Sequence, residues 1–297
     1  MKDFNFDKLV ELEDLSIGNN AQCSHQLSDA VDMLFWIDER REHLPWSTLV
    51  KKGYVSTKSQ EHDVFQMLTN SAKSGSSTLF KSGNLKDSVK RDTVVAVWQA
   101  AINYKAEKVL APKFHLEEVD VDFLNDIASL SMNTNNINNL CEILLSKGII
   151  LIIEPDFPSL GKDGCVYKNT KGNPVLSISL RYDRLDNFWF TLLHELSHII
   201  LHYEILDNVI MEDIERNDNN EIEDEANYLT RECIVDRVTW KNFGLTKNKS
   251  EKKLHELAKL VNRHPSLLAG RVRHETKDWK LFSNIINEVS LREVLKV

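Results

Sequence analysis

The chain has 297 residues, 42% of them hydrophobic, with a net charge of -8 and a pI near 5.7. That length can bury one large core or two modest ones. The charge balance argues against a uniformly basic nucleic-acid surface while leaving room for a local basic patch. The opening residues Met1 to Asn5 form no apolar signal core, and no run approaches the roughly eighteen apolar residues of a membrane span. The four cysteines, Cys23, Cys141, Cys165 and Cys233, form no C-x-x-C pair. Unpaired thiols of this kind fit a reducing compartment, so the expectation is a cytoplasmic protein without a membrane partner.

Residues 1–22 carry no clear pattern. From Ser24 to Glu42, Leu27, Val31, Leu34 and Ile37 recur at helical spacing, and Pro45 ends the run. Cys23 lies just before that helix. It is a candidate inhibitory thiolate for a metal elsewhere in the fold, set against the plainer reading of a core or surface cysteine. Trp46 to Val55 predicts a short helix and turn, and Gln60 to Ala72 another helix. Ser71 to Ser77 is small and polar and reads as a loop. Asp87 to Lys108 is a stronger helix, with Val94, Val97, Trp98, Ala101 and Ile102 along one side. Lys73, Lys81, Lys86, Lys90 and Arg91 make a modest basic cluster here. It is compatible with a nucleic-acid activator, or simply with a solvated helix face. The first 110 residues are therefore expected to form an all-helical module for recognition or sensing, followed by a second domain over 111–297.

In that second part, Phe123 to Leu130 and Ile137 to Lys147 predict helices, the latter ended by Gly148. Ile149 to Ile153 reads as a strand, Gly164 to Tyr167 as a second and Val175 to Arg181 as a third. The third alternates, with Leu176, Ile178 and Leu180 on one face and Val175, Ser177 and Ser179 on the other. A sheet edge at this point could receive an extended peptide by strand addition.

Then comes Phe190 to His202, FTLLHELSHIILH. His194 and His198 are four residues apart and share one helix face, so both imidazoles can reach a single metal ion. Glu195 lies beside them, placed to hold and deprotonate a water. The flanks are apolar, so this is a buried helix with one polar stripe, and buried His and Glu need a partner. Two surface histidines on an amphipathic helix would have polar flanks instead. Asp183 or Asp186 can cap this helix. His202 continues the spacing and reads as structural or as support behind a ligand.

A polar, acidic loop follows to Asn219, then a long helix over Glu221 to Val238. A catalytic metal usually takes three protein ligands. Glu223 is assigned as the third, with Glu225 as the runner-up and Glu221 weaker. For Glu221, Asp224 and Glu225 the plainer reading is a solvated helix N-terminus. Asn227, one turn beyond Glu223, could orient a ligand from behind. Ala226 is small enough for two helices to approach closely. Helices over Glu251 to Asn262 and from His264-Pro265 to Arg273 complete the pattern. Tyr228, His264, Arg271 and His274 are candidates for holding the oxyanion or the substrate. Each also has a plainer reading as a core, salt-bridge or surface group.

The stretch HELSHIILH followed by Glu223-Asp224-Glu225-Ala226-Asn227 resembles the ImmA/IrrE family of zinc metallopeptidases, in the branch associated with Cro/repressor-type helix-turn-helix proteins. Ile178 to Tyr182, Asn187 to Thr191 and Gly270 to His274 carry the same resemblance, which is strong over about 145–275. It implies an α+β fold: a minimal zincin-like domain with a small mixed sheet packed on the HExxH helix and further helices, preceded here by the all-helical module. It further implies Zn2+ held by His194, His198 and Glu223, with Glu195 as base. The implied substrate is a helix-turn-helix repressor or antitoxin whose cleavage derepresses an operon of stress response, a mobile element or phage defence. Ser197 stands where the family often has glycine. No helix-turn-helix is evident at the N-terminus, so the repressor would be a separate protein. The alternative is a non-catalytic regulator that binds a helix-turn-helix partner or nucleic acid through a zincin scaffold.

Overall fold

A computed structural model describes residues 20–72, 86–155, 157–207, 210 and 221–296; the side chains of 20–29 and 86–88 are outside that description. The N-terminal part is helical throughout: α1 (Asn20–Arg40), α2 (Trp46–Lys51), α3 (Gln60–Ser71) and α4 (Lys86–Ala106). Then come α5 (Val121–Ser129), α6 (Leu140–Ser146), β1 (Ile150–Ile153), β2 (Gly164–Lys168) and β3 (Pro174–Ile178). The rest is α7 (Leu185–His202), α8 (Glu221–Ile234), α9 (Arg237–Phe243), α10 (Glu251–Val261), α11 (Pro265–Thr276) and two short helices, α12 (Ser283–Ile286) and α13 (Leu291–Leu295). This is the expected α+β architecture. No helix among the described residues is long and apolar enough to cross a membrane.

The sheet is mixed, in the order β1-β3-β2. β1 runs parallel to β3, with Ile150 beside Val175, and β2 runs antiparallel to it, with Gly164 beside Ile178. The period-2 alternation sends the two faces into different cores. Leu151, Val166, Leu176 and Ile178 join the core built around α7. Ile150, Ile152, Cys165, Tyr167 and Val175 join the core of the N-terminal helices, with Leu49, Leu68, Trp98 and Ile102. Both faces are thus covered, one by the HExxH helix and the other by α4.

A buried ion cluster ties the N-terminal helices to the end of β1. Glu154 is fully buried, pairs with Lys52 at 3.0 Å and with Lys105, and accepts a hydrogen bond from Tyr54 Oη at 2.8 Å. Trp98 Nε1 donates to the Glu154 carbonyl at 2.8 Å. Burial, then the Glu154 charge, pushes the Tyr54 hydroxyl pKa well up.

Several expectations need correction. β3 is the central strand, so it has no open edge; of the two outer edges, on β1 and β2, the one beside Glu195 belongs to β2. Part of that edge is already covered, because Val166 and Ile210 exchange backbone hydrogen bonds at 3.2 and 3.0 Å and Lys168 N donates to Leu206 O. β3 also stops at Ile178, and Leu180 takes a left-handed backbone (φ 48). Neither Asp183 nor Asp186 caps α7. Its N-cap is Arg184, which makes no side-chain cap bond, and whose guanidinium grips Asp186 at 3.0 Å through two nitrogens. Asp183 instead accepts from Ser290 Oγ and Arg292 N, holding α13. The long helix expected to reach Val238 breaks after Ile234. Asp236 starts a new helix by accepting from Val238 N and Thr239 N, an N-cap that outcompetes continuation.

Candidate metal centre

α7 is apolar on nearly all sides, as a helix buried between a sheet and other helices must be. His194, Glu195 and His198 are at most 1% exposed. α8 crosses α7 at small residues. Ala226 is fully buried, and Ser197 Oγ lies 3.0 Å from Thr230 Oγ1 while donating to Leu193 O at 2.8 Å. A serine at position 197 therefore fits the crossing and finds partners there.

The crossing brings the first turn of α8 over the histidines. His194 Nε2 and His198 Nε2 are 3.1 Å apart, Glu223 Oε2 lies 3.1 Å from His194 Nε2, and Glu223 Oε1 lies 3.4 Å from His198 Nε2. Two ring nitrogens and a carboxylate, three groups able to act as lone-pair donors, converge on one point in a buried setting. Such a trio is stable only around a cation, whether protons or a metal ion. The ligand atoms all lie within 4.8 Å of one another, close enough for one metal ion. Electrostatics agree with the geometry. Burial alone would raise the Glu223 pKa, but the hydrogen bonds and charges of His194 and His198 outweigh it and hold the carboxyl well below the usual range. Burial lowers the His198 pKa against the pull of Glu223, which favours the neutral ring a metal requires.

Glu195 reaches back to β2. A Cβ at Gly164 would lie 2.6 Å from Glu195 Oε1 and 2.7 Å from Thr191 Cγ2. Only glycine lets the strand and the carboxylate share this space. Val166 turns its backbone groups to the outer edge, so by alternation Gly164 does too. Among the described residues nothing pairs with the outward-turned backbone groups of Gly164, which is buried beside Glu195.

Behind the histidines, His198 Nδ1 lies 3.1 Å from His202 Nδ1, and His202 Nε2 lies 2.9 Å from Glu225 Oε2. Glu225 thus reaches the site through His202 and is not itself one of the converging ligands. Asn227 is half-buried and, among the described residues, makes no side-chain hydrogen bond. The contact behind His198 comes from His202 and, through it, from Glu225. The spacing 194, 198, 202 carried that signal, but only the helix crossing reveals which acid completes it.

The other candidates lie elsewhere. Arg271 is committed to Glu275 Oε1 and to the carbonyls of Arg231 and Val235, and its guanidinium lies 4.2 Å from the Trp240 ring centroid. These carbonyls are eight and twelve residues beyond Glu223. Tyr228 is exposed and lines the same groove as Arg271. His264 is the N-cap of α11, where its Nδ1 accepts from Ser266 N at 3.1 Å. His274 is an exposed residue in the last turn of that helix. The side chain of Cys23 is outside the described residues, as are most of the basic cluster's side chains. Cys165 and Cys233 are buried and Cys141 is exposed; all three are free thiols.

Residues 147–265 match the family model described as the IrrE N-terminal-like domain, Peptidase_M78, a metallopeptidase family. No curated protein and no solved structure matches the chain.

Proposed function

We propose that this segment of the ImmA/IrrE family, together with the helices packed around it, is the catalytic part of a zinc-dependent endopeptidase. The observation that carries the reading is the convergence of His194, His198 and Glu223 on one buried point, with the buried Glu195 adjacent to His194 in the helix. A four-coordinate zinc with nitrogen ligands at about 2.0–2.1 Å spaces its ligands roughly 3.4 Å apart. The separations of 3.1 to 3.4 Å here fit that spacing. Two histidines and a glutamate are also a recurrent catalytic zinc set, one that leaves a position open.

In this reading His194, His198 and Glu223 hold the ion, which when bound supplies Lewis acidity to polarise a peptide carbonyl and acidify a water. Glu195 Oε accepts the attacking water's proton and returns it to the leaving amine nitrogen. Burial keeps the proton between these groups rather than in solvent. The backbone at Gly164, whose outward-turned groups pair with no described residue, receives the extended substrate by antiparallel pairing and sets its register next to Glu195.

The substrate we propose is a DNA-binding repressor or antitoxin of the helix-turn-helix class, cleaved to derepress its operon. Family membership supports this choice. The test uses wild type and Glu195→Gln, each assayed for zinc per chain and incubated with the helix-turn-helix protein encoded beside it. One zinc in both, with cleavage by wild type alone, is the expected result. Zinc in neither protein, with the metal supplied, overturns the site. Zinc in both with binding and no cleavage overturns the endopeptidase reading in favour of a regulator.

A further inference from the structure

We infer that Glu225 and His202 form a relay that sets the tautomer of His198 and so points a bare nitrogen at the metal position. The inference rests on the zinc reading above and adds two positioning residues to it.

The argument runs from the outside in. An ionised Glu225 is purely an acceptor. It lies 2.9 Å from His202 Nε2, so that nitrogen carries the hydrogen and donates. A neutral imidazole with hydrogen on Nε2 has a lone pair on Nδ1. His202 Nδ1 is 3.1 Å from His198 Nδ1, so it accepts, and His198 Nδ1 carries the hydrogen. His198 is then left with a lone pair on Nε2, the atom that faces His194 Nε2 and Glu223. The opposite polarity would place a hydrogen on His198 Nε2, in the midst of the ligands. One carboxylate at the helix surface thereby selects the only arrangement compatible with a bound ion.

The two ligand histidines differ in this respect. His194 Nδ1 is buried with no hydrogen-bond partner among the described residues. His198 is thus the imidazole held from behind, and its ring orientation depends on His202, itself 8% exposed at the end of α7. The relay also links the two helices independently of the metal. Glu223 and Glu225 both come from the first turns of α8, yet they address different residues of α7.

The test separates positioning from charge and from folding. Glu225→Ala removes an exposed side chain and leaves the α7–α8 crossing intact. Asp224→Ala, on the same turn, removes the same charge without touching His202. Zinc dissociation constants are measured by chelator competition, with circular dichroism as the folding control. We expect Glu225→Ala and His202→Ala to weaken zinc binding about 10- to 100-fold, and Asp224→Ala to change it less than 3-fold. Two-bond 1H–15N spectra of the zinc-loaded wild type should show hydrogen on Nδ1 of His198 and on Nε2 of His202. Equal affinities for wild type and Glu225→Ala, an equal loss in Asp224→Ala, or the opposite tautomer at His202 would overturn the relay. A wild type that binds no zinc would instead overturn the metal site itself.

Discussion

Gly164 on β2 stands so close to Glu195 on α7 that a single added methyl would lie 2.6 Å from the carboxylate oxygen Oε1. Strand and carboxylate are therefore fitted to each other, and the strand is the less yielding partner because its neighbour across the pair, Ile178, is buried. Gly164→Ala should displace the Glu195 carboxylate while sparing the proposed metal ligands. Misplacement of a reacting group by about 1 Å costs on the order of 10²-fold. The expected result is a loss of that size in kcat/KM with an unchanged zinc content, measured on one preparation.

Metal binding should appear as stability. A ligand that binds only the folded chain adds about 2.7 kcal/mol at 100 times its dissociation constant. Zinc should raise the melting temperature of wild type and of Asn227→Ala, and Glu223→Ala should lose most of that shift. Equal shifts in wild type and Glu223→Ala would remove Glu223 from the ligand set.

Glu154 makes a different kind of prediction. Its carboxylate is buried between Lys52, Lys105 and Tyr54. Removing one partner of a buried ion pair costs roughly 3 kcal/mol, here at the low end because Lys105 is partly exposed and can turn to water. Glu154→Ala should lose about that much in urea unfolding. Tyr54→Phe, which removes one hydrogen bond, should lose about 1 kcal/mol.

His264 supplies the pH dependence. Its Nδ1 accepts from Ser266 N, so the cap requires a neutral ring. Burial lowers its pKa in the folded chain, with nearby Glu288 pulling the other way and His255 reinforcing the shift. An unfolded histidine titrates near 6.5. Below that pH the unfolded chain binds a proton that the folded chain refuses, so stability falls as the pH drops from about 6.5 towards the folded value. His264→Asn keeps a good cap and should flatten this part of the stability curve below about pH 6.5. An unchanged slope in the variant would assign the effect to other groups.

Much of the candidate site was legible because its signals are local. The spacing of His194 and His198, the apolar flanks and the acidic start of α8 all lie within a few turns of chain. Ala226 announced a close crossing by its size, and the crossing is there. Strand order is not local. β3 alternates like an edge strand, yet it lies between β1 and β2, because the pairing partner of each strand is chosen over tens of residues. The caps failed for a related reason. Asp183 is a sound N-cap by composition, but Ser290 and Arg292, more than a hundred residues away, engage it first. The role of Glu225 likewise depends on the angle at which α8 meets α7, which no window of sequence contains.

The two-sided sheet also bears on how the protein can be handled. Ile150, Ile152, Cys165, Tyr167 and Val175 face the N-terminal helices, not the HExxH helix. A fragment begun at residue 111 to isolate the peptidase would carry every proposed zinc ligand and still emerge with one wall of its sheet stripped bare. Such an apolar patch drives self-association, so expression trials of that fragment should yield aggregates. Fragments that retain α3 and α4 are the ones to take into crystallisation.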